Sequence, residues 1–275
     1  MYSYNGITTL GIKNPATTPT AMPEKSGATI VPRSLPSTES SAIQPMRQIS
    51  VIIPTLNEQP RIAAAIENVR RSLPTTEIIV ADGGSADRTV AEAASAGARI
   101  VRSQKGRGPQ CIAGASVATG EWLLFLHADT SLPPTAAEVL ATFCALPETM
   151  VGTFRLAFDD AGWFLRASAW LTRFDSVFTR FGDQGIVIRR DFYDSLGGFP
   201  AWPLFEDVEL LRRARRVTRV WSLPANVTTS ARRFRRRGPI RQQLQNTQLL
   251  LRFLLGTPPE KLAATYCPEP PSIST

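Results

Sequence analysis

From Ile49 onward the chain alternates between two hydrophobic periods. Ile49-Ser-Val-Ile-Ile-Pro54 is a short, β-rich apolar run, and Gln59–Leu73 follows with helical spacing. Glu77–Ala81 repeats the strand pattern, and Ala86–Ala96, closed by Gly97, repeats the helix. Ala98–Arg102 predicts a third strand, Pro109–Ala118 a helix ending at Gly120, and Glu121–Leu126 a fourth strand. Strands alternating with helices of this length imply parallel pairing through right-handed crossovers. Their near-continuous apolar character implies a sheet covered on both faces. The second half is less regular. It predicts a strand over Gly152–Phe158, an amphipathic helix over Trp163–Phe178, and a short strand over Gly185–Ile188. A helix over Glu206–Arg216, a strand near Val217–Leu223 and a helix over Pro239–Leu255 complete the pattern.

Residues 1–47 lack apolar periodicity and are rich in Pro, Thr, Ser and Ala, so they cannot bury enough surface to offset the entropy of ordering. We expect a disordered extension over 1–47, one domain over 48–256 and a tail over 257–275. Within the domain, the pattern divides into a regular half over 48–130, a less regular half over 131–238 and a closing helix over 239–256. Met46 stands just before the first strand, which raises the expectation that the preceding residues reflect start-codon choice.

Composition adds one thing to this picture. Apolar content of 43% and charged content of 20% are ordinary, but Lys plus Arg outnumber Asp plus Glu by 31 to 23, and most of the excess is Arg. Arginine suits forked contacts to phosphate and carboxylate, so anionic partners are expected, although such a bias also follows from genome composition. Cys111, Cys144 and Cys267 have neither metal-ligand spacing nor an even-numbered framework, which fits a reducing compartment. There is no apolar run of the roughly 18 residues a spanning helix needs and no secretory pattern, so the expected location is cytoplasmic. The triplet Asn226-Val-Thr228 has no meaning as a glycosylation acceptor there.

In an open parallel sheet, ligands bind beyond the carboxyl ends of the strands. Three polar segments meet that rim: Pro54-Thr-Leu-Asn-Glu58, Asp82-Gly-Gly-Ser-Ala-Asp87 and His127-Ala-Asp129. Asn57, Ser85 and Asp87 each precede a helix and also read as caps. Asp82 precedes two glycines that permit close approach of a ligand, where its carboxylate would accept hydrogen bonds from a base or ribose. Asp129 ends the most apolar strand, where a charge is costly unless a cation neutralises it. Magnesium or manganese, completed by substrate phosphates, is the natural partner; the alternative is a cap on the helix at Pro133.

Taken in order, Pro54–Glu58, Val80-Ala-Asp-Gly-Gly-Ser-Ala-Asp-Arg-Thr89, Lys105-Gly-Arg-Gly108 and Leu126-His-Ala-Asp-Thr130 resemble the successive signatures of family 2 glycosyltransferases over roughly 49–223. The Leu-His-Ala-Asp-Thr variant further resembles a bacterial subgroup with radical-SAM and selenium-domain neighbours, named for arsenosugar biosynthesis. The resemblance implies an α/β GT-A fold with a mixed, mostly parallel sheet flanked by helices, in which 48–130 is the nucleotide-binding half and 131–238 the acceptor half. It implies inverting, metal-dependent transfer from a nucleotide-diphosphate sugar to a hydroxyl acceptor. By the same carry-over, Pro54, Asn57 and Glu58 line the nucleotide pocket and Asp82 binds the base. Lys105 and Arg107 lie near the nucleoside and phosphates, and Asp129 holds Mn²⁺ or Mg²⁺. His127, with Ala128 behind it, stands where the family has the first Asp of its Asp-x-Asp motif, and a neutral imidazole there suits ribose or manganese.

Phe205-Glu-Asp-Val-Glu209 resembles the family's Glu-Asp motif, which makes Asp207 the expected catalytic base and Glu206 its neighbour. The alternative is that these acids only favour a helix N-terminus. Asp183, Gln184 and Gly185 read as acceptor contacts or as turn residues. In Arg232-Arg-Phe-Arg-Arg-Arg-Gly238, Arg232 or Arg233 would lie over the diphosphate in a mobile loop, and the rest is a solvated face or an attraction to anionic lipid. The Leu244–Leu255 helix beside it either packs on the core or rests at a membrane surface, so peripheral membrane contact through this basic region is part of the reading. Nucleotidyl transfer is the competing enzyme class, but a Gly-rich phosphate loop after the first strand is absent. Nucleic-acid binding is the competing non-enzymatic class, but base-stacking aromatics are not interleaved through the arginine run beyond Phe234.

Overall fold

The computed structural model describes residues 48–160, 162–171 and 182–266; the expected disordered extension over 1–47 lies outside them. The first half folds as the periodicity requires: β1 (Ile49–Thr55), α1 (Gln59–Ser72), β2 (Glu77–Asp82), α2 (Thr89–Ser95), β3 (Arg99–Arg102), α3 (Arg107–Val117) and β4 (Trp122–Phe125). These strands pair in parallel in the order β3-β2-β1-β4. Alternation along β1 decides its two faces. Val51 and Ile53 pack in one core with Ile62, Ile66 and Val69 of α1, while Ile52 packs in the other with Cys111 and Ala115 of α3. Helix α3 lies close on the strands because Gly114 faces Ile52, where a Cβ would come within 2.3 Å of Ile52 Cγ2.

The second half adds β5 (Thr130–Ser131), α4 (Ala136–Ala145), β6 (Val151–Phe158), α5 (Trp163–Leu171), a 3-10 turn at Gly182–Gln184, β7 (Ile186–Arg189) and α6 (Arg190–Ser195). Then come α7 (Glu206–Arg215), β8 (Trp221–Thr229), α8 (Arg232–Arg237), α9 (Pro239–Leu254) and α10 (Pro259–Thr265). Strand β7 pairs antiparallel with β4, β6 antiparallel with β7, β8 parallel with β6, and β5 antiparallel with β8. The eight strands form one mixed sheet, β3-β2-β1-β4-β7-β6-β8-β5.

Three expectations change. The last long strand is Trp221–Thr229, not Val217–Leu223; Leu223, Ala225, Val227 and Thr229 face inward while Pro224, Asn226 and Thr228 face solvent. Val217 and Thr218 close α7 instead, both N–H groups donating to the Ala214 carbonyl. The arginine run is a helix, α8, and not a loop. Pro259–Thr265 is helical within the expected tail, its Leu262 buried with Leu204 and Leu249. The helix expected over Trp163–Phe178 is present to Leu171, and its remainder lies outside the described residues.

Candidate active site

Two loops at the carboxyl ends of β1 and β2 hold each other. The Asn57 N–H donates to Ser85 Oγ at 2.9 Å, and the Ala86 N–H donates to Asn57 Oδ1 at 2.8 Å. The Gln59 N–H donates to Asp87 Oδ2 at 3.2 Å, and Thr89 donates through both its N–H and its hydroxyl to Asp87 Oδ1. The capping reading holds for Asp87, whose carboxylate takes the first N–H groups of both α1 and α2, but not for Asn57 and Ser85, which hold the two loops to each other instead. Asn57 is left-handed, φ 55°, a conformation asparagine tolerates better than most residues. The Glu58 N–H donates to Thr89 Oγ1, and its carboxylate accepts from Arg61 at 2.9 Å.

Asp82 is buried, and its carboxylate accepts the N–H groups of Gly84 and Ser85 at 3.1–3.2 Å. It therefore shapes its own turn. Buried Gln110 of α3 donates from one amide nitrogen to the carbonyls of Thr55 and Ala81, tying the ends of β1 and β2 together beneath the rim. The sequence reading passed over Gln110; its signal is a polar residue on the sheet-facing side of α3, one turn before Gly114. Pro54 sits half-buried in β1, in register with Ala81.

Lys105 is exposed in the turn before α3, whereas Arg107 begins the helix and points inward along the rim. Its Nε lies 3.2 Å from Glu206 Oε1, and its Nη1 is 3.5 Å from His127 Nε2. Arg107 thus bridges the segment after β4 and the start of α7. Gly108 allows this approach: its N–H donates to the Trp202 carbonyl at 3.0 Å, and a Cβ there would stand 2.2 Å from the Pro200 carbonyl oxygen.

His127, buried Ala128 and Asp129 form the turn between β4 and β5, closed by the Thr130 N–H on the His127 carbonyl at 3.1 Å. The Ser230 N–H donates to the Asp129 carbonyl at 3.2 Å, so the end of β8 lies directly beside that turn. Arg232 is two residues further on, its N–H directed at Ser230 Oγ. The Arg233 side chain falls outside the described ones. Arg235 is committed elsewhere: it forms a two-pronged pair with Asp159, whose Oδ1 also accepts the Ala231 N–H at 2.7 Å.

The start of α7 and the 3-10 turn are electrostatically tense. Phe205 is left-handed, φ 63°, and stacks on Phe253 of α9 at 4.9 Å; it presents Glu206 and Asp207 as the first turn of α7. This strained non-glycine residue had no signature in the sequence. Both acids sit at the positive helix end, so the dipole reading also holds. Burial pushes the Glu206 carboxyl up to about 7, Arg107 opposing and Asp207 adding to the rise. Burial likewise pushes Asp183 up to about 7, with Asp207 and Asp129 reinforcing and Arg107 opposing. For Arg107 the order is reversed: burial would lower its proton affinity, but Glu206 and Asp207 outweigh it and raise it. Asp183 Oδ1 and Glu206 Oε2 are buried without a hydrogen-bond partner among the described residues. Gln184 is fully buried at the end of the same turn, near Thr153 Oγ1, and Gly185 is left-handed against Leu124, Leu126 and Phe154. The structure therefore brings Arg107, His127, Asp129, Asp183, Glu206 and Asp207 into one electrostatic neighbourhood. Among the described residues no three acidic, His or Cys side chains are gathered closely enough to hold a metal alone.

Residues 50–197 match Glycosyl transferase family 2, and the chain belongs to that family. It is 30% identical over 159 residues to an undecaprenyl-phosphate 4-deoxy-4-formamido-L-arabinose transferase of Klebsiella pneumoniae subsp. pneumoniae, covering 53% of this chain and 49% of the relative. It is 31% identical over 94 residues to a glucosyl-3-phosphoglycerate synthase of Mycolicibacterium smegmatis, covering 30% of this chain and 31% of that one. The chain thus aligns with about half or less of the length of these relatives. Among solved structures, a Mycobacterium tuberculosis glucosyl-3-phosphoglycerate synthase with Mn²⁺, UDP and phosphoglyceric acid superposes with a TM-score of 0.55 at 19% identity, covering 77% of this chain and 80% of that one. A Pyrobaculum calidifontis mannosyltransferase with GDP-Man and Mn²⁺ gives 0.54 at 18% identity, covering 80% and 69%. The fold is that of the GT-A glycosyltransferases, as the sequence led us to expect.

Proposed function

We propose that this member of glycosyl transferase family 2 moves a sugar, with inversion, from a nucleotide-diphosphate donor to a hydroxyl acceptor, using Asp207 as the base. The observation that carries the reading is the convergence of Asp129, Arg107, Asp183, Glu206 and Asp207 on one rim, with buried carboxylate oxygens left without partners. Such oxygens are costly unless a ligand or cation completes them. Relatives at this level of similarity are named as sugar transferases, and structural neighbours were crystallised with UDP or GDP-Man and Mn²⁺.

In this reading Pro54, Asn57, Glu58 and Asp82 form the nucleoside side of the pocket, in loops that are already hydrogen-bonded to each other. Lys105, Arg107, His127 and Ala128 lie along the diphosphate, with Arg232 or Arg233 closing from the end of β8. Asp129 holds Mn²⁺ or Mg²⁺; the donor set fits a hard cation that takes few protein oxygens and completes its shell with phosphate and water. That ion would offset negative charge on the leaving diphosphate. Asp207 takes the acceptor proton as the hydroxyl oxygen attacks the anomeric carbon, and Glu206, held by Arg107, orients that hydroxyl through its second oxygen. Asp183, Gln184 and Gly185 line the acceptor side. The acceptor class is the finer part of the proposal: the Leu126–Thr130 variant favours a small molecule of arsenosugar type, and the basic C-terminal region favours work at a membrane surface.

Thermal unfolding across a panel of nucleotide sugars, with and without Mn²⁺, tests the reading. A donor at a hundredfold excess over its Kd is expected to raise Tm by about 5–10 °C with Mn²⁺ present, and Asp129→Ala to remove the metal-dependent part. A panel with no response would overturn it.

A further inference from the structure

Helix α9 carries its apolar residues on two faces. Gln242, Leu249 and Leu250 are buried, and Phe253 packs against Phe205 and Trp202, so that side is occupied by the protein. At about 100° per residue, Ile240, Leu244, Leu251, Leu254 and Leu255 fall within one arc of about 100° on the opposite side. All five are exposed, Ile240 at 60%, Leu244 at 66% and Leu255 at 86%. Five large aliphatic side chains in one outward stripe exceed the scattered apolar exposure usual for a water-facing helix.

The charge around the stripe is one-sided. Arg241 and Arg252 project just beside the arc, and Arg237 sits at the helix start, tied to Gln245 at 3.0 Å. From residue 230 to 259 there are seven arginines and no Asp or Glu, with Arg235 paired to Asp159 and exposed Glu260 following on α10. Among the described residues no helix is long and apolar enough to cross a membrane, so a surface contact is the geometry to consider.

We propose that the outward face of α9 is a docking surface for an anionic lipid bilayer, with Ile240, Leu244, Leu251 and Leu255 entering the interfacial layer and Arg241 and Arg252 meeting the headgroup phosphates. This specifies the membrane contact left general above. A second copy of the chain is the poorer occupant, because pairing two such faces would bring Arg241 and Arg252 of both copies together. An anionic bilayer complements both the stripe and the charge. The placement has a consequence for the site. Helix α8 leads into α9 and starts two residues after Ser230, which is hydrogen-bonded to Asp129, so docking would hold the phosphate end of the cleft close to the bilayer.

The test is co-sedimentation of the full-length protein with vesicles of phosphatidylcholine alone and of phosphatidylcholine mixed with phosphatidylglycerol. We expect binding at least about tenfold stronger to the anionic vesicles, weakening as salt rises. A Leu244→Glu, Leu251→Glu double variant should lose at least about tenfold of that binding, and an Arg241→Ala, Arg252→Ala variant should lose the preference for anionic lipid. Failure of the wild-type protein to bind, or equal binding by the leucine variant, overturns the proposal. So does a wild-type dimer that the leucine variant converts to monomer without vesicles. Thermal unfolding of each variant separates loss of the face from loss of the fold. A chain that binds vesicles but no nucleotide sugar would refute the proposed reaction and leave this surface standing.

Discussion

On the side of the rim proposed to hold the donor, polar side chains are hydrogen-bonded to the backbone of neighbouring loops and strand ends. Asn57 holds the Asp82–Asp87 loop, Asp87 holds the start of α1, Asp82 holds its own turn, and Gln110 ties two strand ends from below. On the side proposed to hold the acceptor, Asp183 and Glu206 each keep a buried oxygen without a partner among the described residues, and both carboxyls are pushed up to about 7. The first region is a scaffold whose polar groups stabilise the fold. The second holds groups that a stability-driven sequence would have paired or replaced, which is the pattern expected where structure is kept for chemistry. The comparison makes a sign prediction: removing polar chemistry from the donor side should weaken the protein, and from the acceptor side should weaken the reaction while sparing or strengthening the protein.

The largest expected effect is on turnover. Asp207→Asn keeps shape and hydrogen-bonding size but cannot take a proton, so kcat should fall by about 10²–10⁴, with the donor Kd changed less than about threefold. Steady-state kinetics with donor titration by calorimetry reads both numbers. A variant that turns over normally would remove Asp207 from its assigned role, and one that loses donor binding would place it on the wrong side of the comparison.

Next in size is the scaffold. Gln110→Leu is close to isosteric but leaves the Thr55 and Ala81 carbonyls short of a donor, costing about 1–3 kcal/mol of unfolding free energy. The Gly83 N–H still reaches the Thr55 carbonyl, which keeps the loss below that of two fully orphaned groups. Urea unfolding at constant m-value gives the figure. An unchanged midpoint would mean that the donor rim is held by its loops alone.

The two regions were also unequally legible. Strands β1, β2 and β4 announce themselves because parallel strands covered on both faces are largely apolar, whereas β3 at the sheet edge shows only Ile100 and Val101 between two arginines. The post-strand residues then follow from topology, and Asp82 and Asp129 were placed on the rim from sequence. Strand β8 escaped from Pro224 onward because its inward positions are small or polar and its outward ones include proline and asparagine. It still alternates strictly, but with little hydrophobic contrast. The run over 232–237 reads as a loop by charge, yet it is a helix because Asp159 accepts the Ala231 N–H at its start and pairs with Arg235 one turn on. Neither the strain at Phe205 nor the Arg107 bridge to Glu206 is visible locally, since each joins segments about 50 to 100 residues apart.

The smallest and most discriminating effect concerns Asp183, because its predicted sign is opposite to that of Gln110. Its carboxyl is pushed up to about 7 by burial and by the charges of Asp207 and Asp129, against an ordinary value near 3.8. A proton that binds more tightly in the folded than in the unfolded chain stabilises the fold fully at low pH, and that contribution is lost as pH rises through the folded value. Without metal or donor, wild-type stability should therefore decline between about pH 4 and pH 7 through this group. Asp183→Asn removes the charge that must otherwise be buried, so its Tm at pH 8 should exceed wild type by about 3–6 °C, and the two should converge near pH 4–5. Scanning calorimetry across that range, in chelator, measures the difference directly. A variant less stable than wild type at pH 8 would mean that Asp183 is a paired structural residue like those of the donor rim, and the contrast between the two regions would fail at this position. Adding Mn²⁺ and donor sharpens the same point: wild type should recover stability at pH 8 as counter-charge reaches the cluster, while Asp183→Asn should recover less.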